Sequence, residues 1–363
     1  MLIGRREVLL GGVGLGFAVA AGPRIGFSRE IGPCMTAGIV PGGGKIDQTA
    51  ALQAAADAAA ATGTPLFLPA GIYSTGKLTL KSGTRIEGVP EKTILRYRDG
   101  GALLALKRAE NVKLTGLVLD GDAKPLGEHG ALLNAIETAN LDITDCRVVG
   151  STATGILLRA SSAVISGNRI HDCASSAIAT IAGSDCQIIG NSCARLGDVA
   201  IQAAFSVNGV VIANNFVEEA TGGISVSSLS KEKGLAVIQS NQVRNLFFRK
   251  DAELRGVGIA VEADSVVTGN VIEGAPAYGI MIGWGPHLRD VNVTSNLIRN
   301  APIGIGVSVD PAAGTVRIAR NSIAGTKDGA IRALSGLTSV GPDLALASAE
   351  TYRGVAVHAN VAG

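Results

Sequence analysis

Carboxylates, guanidinium groups and aromatic rings concentrate in one stretch of this chain. The run Phe247-Phe248-Arg249-Lys250-Asp251-Ala252-Glu253-Leu254-Arg255 interrupts a regular pattern and feeds a short apolar segment ending at Glu262; Tyr278 and Gly283-Trp284-Gly285-Pro286-His287 follow. Of twelve aromatic residues, four fall here: Phe247, Phe248, Tyr278 and Trp284, the sole tryptophan. Flat aromatic faces are what sugar rings stack on. Glu262 or His287 would move a proton, Arg255 or Arg249 would neutralise a uronate carboxylate, and Trp284 would stack on the ring. Phe247, Asp251 and Tyr278 would line the same site. The chemistry expected of such a set is elimination or epimerisation on an acidic glycan. Loops much longer than their neighbours in a repeat are commonly functional; the competing reading is a charged, solvated loop with Phe247 and Phe248 tucked over a strand.

A second concentration runs from Asp120-Gly121-Asp122-Ala123-Lys124 through Glu128-His129 and feeds the segment containing Glu137, next to Arg159. Asp120 and Asp122 could hold a cation or a sugar, against the plainer reading of an Asp-Gly turn. His171-Asp172 reads as a solvated pair on a different face. No Cys/His spacing supports a zinc site and no glycine-rich segment has a phosphate-loop context. No cofactor is expected; Ca²⁺ is the one alternative left open, without support from a clear acidic cluster on any adjacent pair of strands. The formal charge of +2 and the lack of a basic tract or aromatic platform argue against nucleic acid.

The elements that position these groups are legible in a repeat. Seven segments place Asn at one offset: Asn168, Asn191, Asn215, Asn241, Asn270, Asn296 and Asn321. Three residues before each stand Ile165, Ile188, Ile212, Ile238, Val267, Val293 and Ile318; two after stand Ile170, Cys193, Val217, Val243, Ile272, Ile298 and Ile323. Leu114-Leu117-Leu119 and Ile143-Cys146-Val148 fit the same frame. Central residues recur every 22 to 29 positions, a solenoid spacing. Each segment then supplies Gly or Ala followed by Ile, from Gly155-Ile156 to Ala330-Ile331. Only a chain winding round an axis, each strand pairing in parallel with its counterpart one coil on, buries all these columns together. The spacing predicts an all-β fold, a right-handed parallel β-helix with three strands per coil. Asn suits the bend because it tolerates the left-handed backbone region, and its amides can stack as a ladder.

That register also names the outward positions of the Gly-Ile strands, among them Leu157, Arg159, Ala179, Gln202, Ser225, Ala260, Glu262, Met281, Gly306 and Arg332. The row is poor in acids. The shortage leaves two readings open: an enzyme of lyase or epimerase type, or a non-catalytic glycan-binding or cell-envelope structural protein.

Residues 1–22 read as an export signal, with Gly4-Arg5-Arg6-Glu7-Val8-Leu9-Leu10 before a glycine-rich apolar stretch and Ala18-Val19-Ala20 as a cleavage site. The segment resembles a twin-arginine signal, with Gly4, Val8 and Leu10 departing from the usual residues; an ordinary secretory signal and an uncleaved anchor are the alternatives. A periplasmic or secreted protein, carried by the twin-arginine export machinery, is the expectation, and the mature chain has no run of membrane-spanning length. Cys146, Cys173, Cys186 and Cys193 fall in different columns, which predicts unpaired core thiols.

Residues 23–46 read as a linker. Within 47–109, Asp47-Gln48-Thr49, a helix over Ala50 to Ala61, Leu68-Pro69-Ala70-Gly71-Ile72-Tyr73 and Ile86-Glu87-Gly88 resemble the opening of the pectate-lyase-like, or rhamnogalacturonase and epimerase-like, β-helix superfamily. With coils over 110–363, the whole chain resembles a family of twin-arginine-exported, repetitive β-helix proteins of uncharacterised activity. The resemblance implies carbohydrate, a polysaccharide, as the partner. Polygalacturonase-type Asn-Thr-Asp and Gly-His-Gly motifs are missing, and the Tyr278-Gly279-Ile280…Pro286-His287 segment, which resembles an alginate-epimerase motif, lacks its acid. Gly354 to Asn360 reads as one more Gly-Ile strand, leaving an open edge suited to end-to-end self-association, with Ser335 to Ala349 as a loop over part of the cross-section.

Overall fold

The computed structural model describes residues 38–127, 130–205, 208–228, 234–249, 256–347, 349 and 351–363. Residues 1–22, where an export signal is expected, and Cys34, Glu128, His129, Asp251 and Arg255 lie outside them. Among the described residues the chain forms three twelve-stranded sheets. Successive coils add one strand to each. The first sheet runs from Leu66–Leu68 to Val355–His358, the second from Gly71–Thr75 to Val361–Ala362, and the third from Leu78–Leu80 to Gly329–Ser335, ending on the antiparallel strand Thr338–Asp343. All other pairings are parallel, and this is the expected parallel β-helix.

Alternation within strands sets the core. Ile165, Ile188, Ile212 and Val267 of the first sheet, Ile170, Cys193 and Ile272 of the second, and Ile156, Ile201 and Ile280 of the third are all 0% exposed. Each such side chain contributes about 1.5–3 kcal/mol by leaving water. Helix α1, Thr49–Thr62, closes the N-terminal end by burying Leu52, Ala55, Ala56 and Ala59 against the first coils. Asp47 accepts the Thr49 amide at its start, and Gly63, at φ 69°, ends it. None of the described helices is long and apolar enough to cross a membrane.

The asparagine row is a continuous hydrogen-bonded column. Oδ1 of each Asn accepts both the backbone N–H and the Nδ2 of the Asn one coil earlier, as Asn191 does from Asn168 at 3.0 and 2.9 Å. Its own Nδ2 also reaches a first-sheet carbonyl, Ile165 O for Asn191. In the Cys146 coil the thiol takes the amide's part, pointing at Leu114 O while the Cys146 N–H donates to Asn168. One expectation needs correcting. The left-handed residue at this corner is the one before the Asn: Gly167, Gly190, Asn214, Ser240, Gly269, Ser295 and Arg320 all have φ between 55° and 67° except Ser240, at 54°. The amide is placed inward by that bend, and the Asn itself lies outside the left-handed region, just before the next strand.

The Gly-or-Ala column has a steric cause at the corner between the second and third sheets. A methyl group on Gly223 would lie 2.2 Å from Gly258 O, and one on Gly258 would lie 2.4 Å from Gly279 O. Backbone meets backbone there, so only the smallest side chains fit.

The C-terminal reading is also corrected. Val355–His358 pairs with Val316–Ala319 of the first sheet, not with a Gly-Ile strand, and Asn360 accepts Asn321 N and Nδ2 at 2.9 Å. Asn360 is thus an eighth member of the row. A 39-residue gap hides it, because an insertion intervenes, whose strand Thr338–Asp343 pairs back on Gly329–Ser335 and whose Leu344 is buried.

Candidate functional site

The outward face of the third sheet forms a floor whose register runs Asn134, Leu157, Ala179, Gln202, Ser225, Ala260, Met281, Gly306, Arg332. A second row carries Arg159, Ile181, Ala204 and Ser227. The row is shielded in its middle, where Ser225, Ala260 and Met281 are buried, and partly open at Asn134, Gln202 and Arg332. Two apolar patches form on it, one of Ala131, Leu157 and Ala179 and one of Val257, Ala260 and Met281 with Tyr278 packed beside them.

Glu262 follows the strand Val257–Val261, half-buried, its N–H donating to Val226 O. In the next coil Gly283 N–H donates to Val261 O, and the chain turns through Trp284 into the short 3₁₀ segment Gly285–His287. Ser308 Oγ donates to Gly285 O and fixes that turn from the following coil. Glu262 and the Trp284 turn therefore occupy adjacent coils at the same rim of the floor. Trp284 is 45% exposed and His287 is exposed. Tyr278 stands at the other end of the same strand, its hydroxyl donating to Leu337 O at 3.3 Å, and burial pushes its phenol pKa up.

The remaining expected residues are elsewhere. Arg249 Nη1 donates to Gly197 O at 2.7 Å, so its segment folds back over earlier coils. Phe247, whose N–H donates to Ala220 O, lies with it along the corner between the second and third sheets. Behind the rim, Asp264 is nearly enclosed and receives Arg289 Nε at 3.0 Å, Arg289 Nη2, and Gly234 N–H at 3.0 Å. This charge pair ties three successive turns and holds the wall that carries Trp284. Sequence reading missed it: Asp264 and Arg289 stand just before adjacent first-sheet strands, but one register position apart, with Arg289 opposite Ala263.

The second concentration is divided between two sides of a strand. Asp120 accepts Arg96 Nε at 2.9 Å and the Asp122 N–H at 2.9 Å, and Lys124 pairs with Asp122 at 3.0 Å. Glu137 pairs instead with Arg108 at 2.7 Å, which holds its carboxyl below the usual range. Arg159 donates to Asn134 at 3.1 Å. The six-residue strand Ala131–Ile136, roughly 20 Å long, separates the two carboxylate groups, so they do not form one cluster.

The His171-Asp172 pair belongs to a larger network on the second sheet. Arg147 Nε donates to His171 Nε2 at 2.9 Å, which places the ring proton on Nδ1, 2.6 Å from Asp172. Arg195 grips Asp172 through Nε and Nη2 at 2.6 and 3.0 Å, and these bonds, more than the imidazole, hold the Asp172 carboxyl at about 2. The His171 side chain is 16% exposed while Asp172 and Arg195 are 45% and 52% exposed, so the pair is solvated on its carboxylate side and tied to two arginines. Among the described residues no group of three or more His, Cys, Asp or Glu is placed to hold a metal ion.

Comparison with known proteins agrees with this architecture. Residues 130–298 match the family model described as the right-handed beta helix region. No curated protein matches the sequence. Among solved structures the chain is similar to the Streptococcus pneumoniae surface protein and adhesin PfbA, with TM-score 0.61 and 14% identity over 91% of this chain and 97% of that one. It is similar to a hyperthermoactive exopolygalacturonase from Thermotoga maritima, with TM-score 0.56 and 14% identity over 81% and 88%. The Azotobacter vinelandii mannuronan C-5 epimerase AlgE6 A-module gives 0.54 and 16% over 88% and 96%. At such identities the likeness is one of fold, and that fold is the right-handed parallel β-helix.

Proposed function

We propose that this is an exported protein that binds polysaccharide along the outward face of its third sheet, with Trp284 as the stacking platform. The observation that carries the reading is Trp284 itself: a lone tryptophan, 45% exposed on a turn pinned by Ser308 and beside the Glu262 rim. A half-exposed indole on a fixed turn presents a flat apolar face on which a sugar ring can stack. An adhesin, a polygalacturonase and an epimerase among the similar folds are consistent with a glycan partner and do not by themselves name one. Because Trp284 is the only tryptophan, its fluorescence reads the site directly. Added polysaccharide should shift or quench the emission, and Trp284→Ala should weaken binding by about 1.5–3 kcal/mol, the range for burying a large apolar side chain. Unchanged emission together with unchanged affinity would remove this site. Export is read from Arg5-Arg6, and replacing both with Lys should leave the protein in the cytoplasm.

A second reading, lyase or epimerase action on an acidic glycan, is favoured by one observation, the half-buried Glu262 carboxylate at the same rim. In that reading Glu262 takes the proton from the carbon beside the uronate carboxylate, with His287 as its alternative. Glu262→Gln should then abolish formation of unsaturated or epimerised sugar while leaving binding near wild type. A protein that binds but never alters any uronate polymer would exclude it.

A further inference from the structure

We infer that the third-sheet face has a blind end beside Trp284, so that the protein holds the terminus of a polysaccharide chain and not an internal stretch of it. The inference rests on the glycan-binding reading above and names the part of the glycan that is recognised. Exposure along the face draws the boundary. Arg159, Ile181, Gln202, Ser227 and Glu262 are all partly exposed. Gly283, Ser308 and Leu334, the next members of the column to which Ser227 and Glu262 belong, are all buried. The change falls at the coil that carries Trp284.

Two side chains from different coils close the face over Gly306. A methyl group on Gly306 would lie 2.6 Å from Leu334 Cδ1 and 3.0 Å from the Tyr278 ring carbons Cδ1 and Cε1. Tyr278 comes from the coil before Gly306 and Leu334 from the coil after, so the two meet across it. The Tyr278 hydroxyl then donates to Leu337 O at 3.3 Å, in the turn between Gly329–Ser335 and Thr338–Asp343. A strand running straight on from Ser335 would carry that turn off the edge of the sheet. Its bond to a ring that lies on Gly306 requires the turn to curl back over the floor. A chain laid along the face toward Trp284 therefore meets a wall just past it.

The wall is anchored at its base as well as at its tip. Asp343 accepts the Ala330 N–H at 2.6 Å, the Ile331 N–H at 3.0 Å and the Ala345 N–H at 2.9 Å. Its carboxylate stands where a following coil would supply two carbonyls, as Ser176 O and Ala177 O do for the Gly155 and Ile156 amides. Arg332 Nη2 donates to Gly341 O at 3.0 Å, and the Leu344 N–H donates to Ile331 O. A wall fixed before the ligand arrives adds little ordering cost on binding. Chain ends and chain interiors then differ in one chemical respect. The last ring carries a free hydroxyl where an internal ring carries the next sugar, and only the free hydroxyl leaves room for the wall.

The test follows Trp284 emission while the whole protein is titrated with linear gluco-oligosaccharides and oligouronates of increasing length, with the same chains carrying a bulky aromatic group at one end or the other, and with cyclic glucans, which have no end. The expected midpoint is constant per mole of chain as length grows; a block at one particular end abolishes the response, a block at the other does not, and cyclic glucans give none. Asp343→Ala should release the base of the wall, speeding hydrogen exchange at the Ala330 and Ile331 amides and letting end-blocked chains bind about tenfold or more tighter than they bind wild type. Circular dichroism checks that the variant is folded; if it is not, Tyr278→Phe, which removes only the bond to Leu337, should also admit end-blocked chains. A midpoint constant per mole of sugar, cyclic glucans that bind as well as linear ones, or blocked chains that bind wild type as tightly as free ones would overturn the inference. In each of those cases Trp284 still responds and the third-sheet site stands. A Trp284 emission that responds to none of the probes removes the site and this inference with it.

Discussion

Replacing Asn241 with Ala should be among the most damaging single substitutions in the chain. Asn241 is 0% exposed. Its Oδ1 accepts Asn215 N at 2.9 Å and Asn215 Nδ2 at 3.0 Å, while its Nδ2 donates to Ile212 O at 2.9 Å and Asn270 Oδ1 at 3.0 Å. Ala removes all four bonds and strands the Asn215 backbone N–H in a space that water does not reach. A buried donor left without a partner costs about 1–3 kcal/mol, and the lost bonds and the small void add to it, so about 3–5 kcal/mol is expected. Asn360 makes the same kinds of bond at the last position, but it is partly exposed. Water can replace its partners, and Asn360→Ala should cost about 1 kcal/mol. Urea unfolding gives the global difference. Hydrogen exchange at Asn215 and its neighbours shows whether coils near position 241 open locally, as a one-dimensional stack permits. Equal costs for the two variants would refute the argument that water exclusion makes this row stabilising.

Three further outcomes follow from the same geometry. Cys146, Cys173, Cys186 and Cys193 are free and buried, and burial pushes all four thiols up, Cys146 and Cys173 to about 12; alkylation should be slow when folded and fast in denaturant, and a disulfide seen by non-reducing mass spectrometry would contradict it. Because the Asp172 carboxyl is held at about 2, below its unfolded value near 4, its contribution is present above pH ~4 and fades as pH falls toward 2. Asp172→Asn should remove that pH dependence, with an effect well under about 1 kcal/mol because the site is exposed and salt screens it; an undiminished effect in high salt would argue otherwise. Gly223→Ala should cost about 1–3 kcal/mol by thermal unfolding, since the new methyl would meet Gly258 O and Val243, and a neutral result would mean the corner can widen.

Fold and register were legible because they rest on short-range, repeated physics. Side chains alternate along each strand, one coil must match the next, and Ile165, Ile188 and Ile212 announce the same inward column wherever they recur. The outward floor row, from Leu157 to Arg332, followed from that alternation alone. Corners were less legible, since the left-handed residue before each Asn carries Gly, Asn, Ser or Arg and shows no shared side chain. Asn360 escaped because the preceding insertion breaks the period. The candidate site depended on loops, whose direction no periodicity specifies. That Arg249 turns back to Gly197, that Asp264 meets Arg289, and that Asp120 and Glu137 stand at opposite ends of a strand are consequences of chain path in three dimensions. The sequence by itself determined a wound stack of parallel strands and which face of each strand is buried, because those depend on hydrophobic period. Only the tertiary structure decided which polar groups meet, because such contacts join coils through side chains and loops that obey no repeat.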